Sequence, residues 1–187
     1  MTRFLWLKPD APPSGFREVP KAGMCLSSFT FVMKEGNRSE ILLGKYKNVS
    51  TWERLTGLDP ERVKRHSAGL TIPGSHLKFG EDPRSTGKRV IEEIIQIPVG
   101  NYKISEPWAE TERWDLDPDP DNDHWDVSFY FNVFLNKEDF VKTPEWYEIL
   151  GFYDPLELNP SQYARRHEDV IKRWSSVKDK IDRPTMS

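Results

Sequence analysis

GSHLKFGEDPRSTGKRVIEEIIQI, residues 74–97, joins three kinds of local chemistry without a break. A Gly-rich loop opens it, Gly80-Glu81-Asp82 makes an acidic turn that Pro83 follows, and an Arg-x-x-x-Glu segment comes next. From Arg84 to Ile95 the apolar residues fall at 90, 91, 94 and 95. That spacing lines up one apolar stripe on a helix, so the segment is predicted to be helical with the stripe against a core. Gly87 weakens such a helix by about 1 kcal/mol relative to alanine. Residues 97–104 read as a strand.

On the N-terminal side, Met24 to Met33 is aromatic, aliphatic and β-branched, EGNRS makes a turn, and an extended apolar run resumes from Glu40 to Tyr46. This pattern predicts a hairpin. Asp59-Pro60-Glu61 is a helix start, with Asp as N-cap and Pro at the first helical position, and predicts a short helix at 60–67. Residues 1–23 form an extended arm, because 8–20 contain four prolines and one glycine and cannot sustain a helix. Phe4, Leu5, Trp6 and Leu7 are the anchors available to that arm.

On the C-terminal side, Glu106 to Asp126 is rich in acids, tryptophan and proline with no sustained period, and is expected to be a long acidic loop. His124 to Leu135 alternates Val127, Phe129, Phe131, Val133 and Leu135 against Ser128, Tyr130 and Asn132, a strand signal with one face toward the core. Tyr147 to Tyr153 is a further strand. Asn159 and Pro160 start a C-terminal helix predicted over 160–179, carrying Tyr163, Val170, Ile171, Trp174 and Val177. One domain, residues 24–180, is expected.

The chain has 187 residues, 36% hydrophobic and 12% aromatic, which is enough for one substantial core. A formal charge of -3 and pI near 5.9 supply no global basic field, so nucleic acid is not the default partner. The single cysteine, Cys25, lies in an apolar run and reads as a buried structural thiol, which fits a reducing, cytoplasmic setting. No run approaches the roughly 18 apolar residues of a membrane span, and no signal-peptide core precedes the first prolines. Neither G-x-S-x-G, nor a P-loop, nor C-x-x-C occurs, so the corresponding serine-hydrolase, NTPase and zinc chemistries have no motif here.

Residues 74–97 resemble a Nudix box. Glu81, Arg89, Ile91, Glu93 and Ile97 match that family's pattern, whereas Ser75, Val90, Ile94 and Gln96 stand where it has Gly, Glu, Glu and Gly. The segments before and after the box are similar to the family's order of elements. The resemblance implies an α/β (α+β) fold, a Nudix-type mixed β-sheet sandwiched between helices. It also implies Mg²⁺ or Mn²⁺ held against a substrate diphosphate if the protein is active.

By that resemblance Glu81 and Glu93 would be metal ligands, Glu93, Glu92 and Glu81 would be catalytic, and Arg89 would brace the loop through Glu81. A one-residue slip pairs Glu92 and Glu93 with the family's double glutamate but loses the Glu81 to Arg89 spacing. Neither register supplies all three helix acids. Glu110, Glu112, Asp121 and Asp123 are candidates for a compensating ligand in the acidic tract, although that tract lacks the glycine and terminal glutamate of an EF-hand.

His76 and Trp125 are ligand-binding candidates, and Trp108 and Trp114 join Trp125 as aromatic platforms. His66, His124 and His167 read as surface residues. The reading that follows is a Nudix-fold protein with an eroded box, binding a nucleoside-diphosphate-type ligand or a protein partner with weak or absent hydrolysis. The alternatives are an active Mg²⁺-dependent pyrophosphohydrolase and a structural subunit.

Overall fold

In the computed structural model, residues 24–47, 68–114, 124–136, 144–164 and 167–181 are described. The elements in order are β1 (Met24–Lys34), β2 (Ile41–Tyr46), β3 (Gly74–His76), α1 (Pro83–Arg89), β4 (Tyr102–Ile104), β5 (Trp108–Trp114), β6 (His124–Leu135), β7 (Tyr147–Tyr153) and α2 (His167–Ile181). The N-terminal arm, the helix expected at 60–67 and residues 115–123 of the acidic stretch lie outside the described residues.

β6 organises the main sheet. It runs parallel to β1 from Trp125 to Leu135, and on its other edge β5 and β4 pair antiparallel with its first and last parts. β3 lines the far edge of β1, and β2 and β7 form a separate antiparallel pair. Helices cover both faces, as the mixed α+β reading requires. α1 and its continuation pack on the face of Phe129, Phe131, Val133 and Leu135, together with the β2–β7 pair. α2 packs on the opposite face, that of Tyr130 and Phe134.

The second cover corrects the reading of β6 as half-exposed. Tyr130 and Asn132 are fully buried, because Trp174 of α2 stacks on Phe31 at 4.6 Å and donates from Nε1 to Asn132 Oδ1 at 2.8 Å. Asn132 in turn donates from Nδ2 to Lys178 O at 3.0 Å, so a polar residue is satisfied inside an aromatic layer.

The expected hairpin is not formed. Both edges of β1 are taken, by β3 and β6, so the turn after it delivers β2 to the second sheet with β7. The segment after residue 68 ties the sheets together: Thr71 and Gly44 exchange backbone bonds at 2.8 and 3.2 Å, and β3 then pairs with β1.

Three boundaries also differ. The acidic loop expected from 106 contains β5, whose Glu110 is tolerated because, among the described residues, the strand pairs with β6 alone in the main sheet. The strand expected over 97–104 is confined to 102–104, since Pro98 to Asn101 closes a turn with Gly100 at φ 88°. The Asn159–Pro160 signal builds a single 3₁₀ turn at 160–162, after which Tyr163 is extended and α2 begins at His167. Cys25 is buried and in no disulfide among the described residues, and no helix among those residues is long and apolar enough to cross a membrane.

Candidate functional site: the box and its loop

Asp82 caps α1, accepting from the Ser85 amide at 2.9 Å and the Ser85 hydroxyl at 2.6 Å, with Pro83 at the first helical position. Gly87 lets the helix lie close on the sheet: a Cβ there would come within 3.1 Å of the Phe131 ring and 3.2 Å of Ile104. Beyond Arg89 the helix widens into one π turn, Val90–Ile94, closed by Ile95 N–H to Val90 O at 3.0 Å. Gln96 then sits at φ 58°, a left-handed conformation that favours glycine, and lets Ile97 N–H reach Ile91 O at 2.9 Å.

The loop is held by one ion pair. Arg89 donates from Nε to Glu81 Oε1 at 2.7 Å and from Nη2 to Oε2 at 2.8 Å, and also reaches His76 O at 2.9 Å and Ser75 Oγ at 3.2 Å. The side chains are 6% and 14% exposed, so this forked pair is largely desolvated. Burial alone would raise the Glu81 pKa, but the bonds from Arg89 and from the Lys78 amide outweigh it and hold the group down to about 2. Lys78 and Glu81 close a turn between them, and Phe79 at its tip is 91% exposed.

The helix acids face elsewhere. Glu92 accepts a bond from the Tyr102 hydroxyl at 2.5 Å, and burial followed by that bond raises the phenol's pKa. Glu93 is exposed. Val90 and Ile94 are 0% exposed, packed in one cluster with Tyr46, Phe131 and Tyr147, and Trp146 Nε1 donates to Ile94 O at 2.8 Å. No local pattern signals these contacts, because Tyr102, Trp146 and Tyr147 reach the box from other elements.

The remaining candidates are scattered. His76 ends β3, with its carbonyl on Arg89. Trp125 pairs with Met24 and Arg113 at the start of β6. Glu110 on β5 accepts from Trp108 Nε1 at 2.5 Å, and Glu112 lies two residues further along that strand. Asp121, Asp123 and His66 lie outside the described residues. His124 starts β6, and His167, expected at the surface, is buried at the start of α2.

Mg²⁺ and Mn²⁺ need several oxygens converging in near-octahedral order. Among the described residues no group of three or more His, Cys, Asp or Glu side chains does this. Two of the positions where the resemblance puts glutamates, 90 and 94, hold core aliphatics, Glu93 is exposed, and Glu81 and Glu92 are engaged by Arg89 and Tyr102. The donors present in the box do not fit a divalent metal.

The fold has solved counterparts. C. elegans Ap4A hydrolase matches with a TM-score of 0.51 at 15% identity, covering 84% of this chain and 96% of that one. A binary complex of C. elegans Ap4A hydrolase matches at 0.51 and 16% identity, covering 83% and 98%. These likenesses show the Nudix-type α+β fold. No family model matches the chain, and no curated protein matches it in sequence.

Proposed function

We propose that this chain is a Nudix-fold binding protein in which the box has become a structural element, with hydrolysis of diphosphate linkages weak or absent. The observation that carries this reading is the burial of Val90 and Ile94 in the cluster that joins α1 to the β2–β7 pair. An aliphatic pair removes both the ligands and the anionic field that activate a metal-bound water. The Arg89–Glu81 fork needs no metal to hold the loop. A nucleotide-derived small molecule is the proposed ligand class, by analogy of fold with a protein named as an Ap4A hydrolase, and a protein partner is the other.

The test is product release from Ap4A with Mg²⁺ or Mn²⁺, alongside thermal shifts with Ap4A in the presence of chelator. A shift without metal and without turnover is the expected result. Metal-dependent turnover that Glu93→Gln abolishes would overturn the reading. Neither shift nor turnover would direct the search to the protein partner.

A further inference from the structure

The start of α2 is joined to the segment before β3 by a ladder in which one rung is a side chain. Leu70 N–H donates to Gln162 O and Ala164 N–H donates to Leu70 O, both at 2.8 Å, in a parallel bridge between Leu70 and Tyr163. Continued in the parallel pattern, the next donor, Ile72 N–H, would meet Ala164 O. That carbonyl instead accepts from His167 N–H at 3.1 Å, closing the turn into α2. Ile72 N–H donates to His167 Nδ1 at 3.0 Å. The imidazole takes the place of a carbonyl.

We propose that this imidazole rung is an acid-released latch for the N-terminal end of α2. Nδ1 accepts only while its lone pair is free; in the imidazolium both ring nitrogens are donors, and Ile72 N–H would then face another N–H. A positive charge at the first turn of a helix also opposes the helix dipole. The ring is buried and lies perpendicular to Phe29, 6.0 Å between centroids. Burial holds its pKa at about 4, below the ordinary 6.5.

Among the described residues, the titratable side chains on the elements packed around the ring are Glu168, Asp169, Lys172 and Arg173 on the first two turns of α2, Cys25 and Lys34 on β1, His76 on β3, and Asp126 and Tyr130 on β6. Burial is what lowers the titration of this ring. What the latch holds down is the helix that stacks Trp174 on Phe31. Opening at this end loosens α2 before the β1–β6 ladder is touched.

The test is hydrogen exchange of the full chain at pH 7 and pH 5, corrected for the intrinsic chemical rate. Protection over residues 168–174 is expected to fall about 20-fold relative to β6, the ratio that a shift from 6.5 to about 4 implies. His167→Asn keeps a neutral acceptor at Oδ1 and should abolish the fall, while His76→Gln should retain it. A fall that persists in His167→Asn, or simultaneous loss at α2 and β6, would overturn the proposal. If His167→Asn does not fold, the ring Cε1 proton of the unaltered protein decides: a midpoint below pH 5 supports the latch and one at 5 or above refutes it.

Discussion

Trp146 donates its indole N–H to the carbonyl of Ile94 at 2.8 Å, across 52 positions of sequence. Ile94 closes the π turn, so its carbonyl is one of those a helix end leaves without an internal partner. The residue that leads into β7 therefore finishes the box helix. Trp146→Phe keeps most of the packing and removes the donor. The expected cost is about 1–3 kcal/mol, that of an unsatisfied buried acceptor, read from the urea midpoint at unchanged m-value.

Placing the acids of the Nudix pattern at positions 90 and 94 should not create a metal site. In Val90→Glu or Ile94→Glu a carboxylate enters a cluster that, among the described residues, is made of apolar side chains, and the expected loss is at least that of Ile94→Ala, about 2–5 kcal/mol. Addition of 10-fold excess Mg²⁺ or Mn²⁺ should leave the melting temperature of either variant unchanged. A metal-dependent recovery would mean that the core opens into a ligand cage, and would sink the structural reading of the box.

How much of this was legible in the sequence follows from the range of the forces involved. The apolar stripe at 90, 91, 94 and 95 and the strand over 124–135 are local patterns, and each is present as read. β5 was missed because WAETERW is polar on both faces and only its pairing with β6 makes it a strand. The hairpin was misassigned because turn chemistry specifies a reversal but not which sheet receives the next strand. His167 was misread because its environment comes from Ile72 and Phe29, distant in sequence.

Arg89 and Glu81 should behave as a unit that lysine cannot replace. Arg89→Lys keeps the charge but loses the fork and the reach to His76 O, at an expected cost of about 2 kcal/mol, and Arg89→Ala about 4. The pH dependence has a definite sign. Glu81 is lowered from 4.5 to about 2, so its contribution, about 3 kcal/mol, is fully present above pH 4.5 and is lost as pH falls toward 2. Glu81→Gln should flatten the stability profile in that window alone. A profile unchanged below pH 4.5 would show that the pair is not formed in solution.

Gln96 offers the opposite kind of change, a substitution that should stabilise. Its φ of 58° is the conformation in which a Cβ crowds the following carbonyl, at a cost of about 1–2 kcal/mol for a residue other than glycine. Its side chain is exposed, so little packing is lost on removing it. Glycine relieves the strain but enlarges the conformational freedom of the unfolded chain, which returns part of the gain. The expected net effect of Gln96→Gly is about 0.5–1 kcal/mol of added stability, seen as a rise in both Tm and urea midpoint. Gln96→Val, β-branched at the same φ, should move both the other way. If Gln96→Gly destabilised the chain while Gln96→Val were neutral, the turn that brings Ile97 N–H to Ile91 O would have to have another backbone conformation.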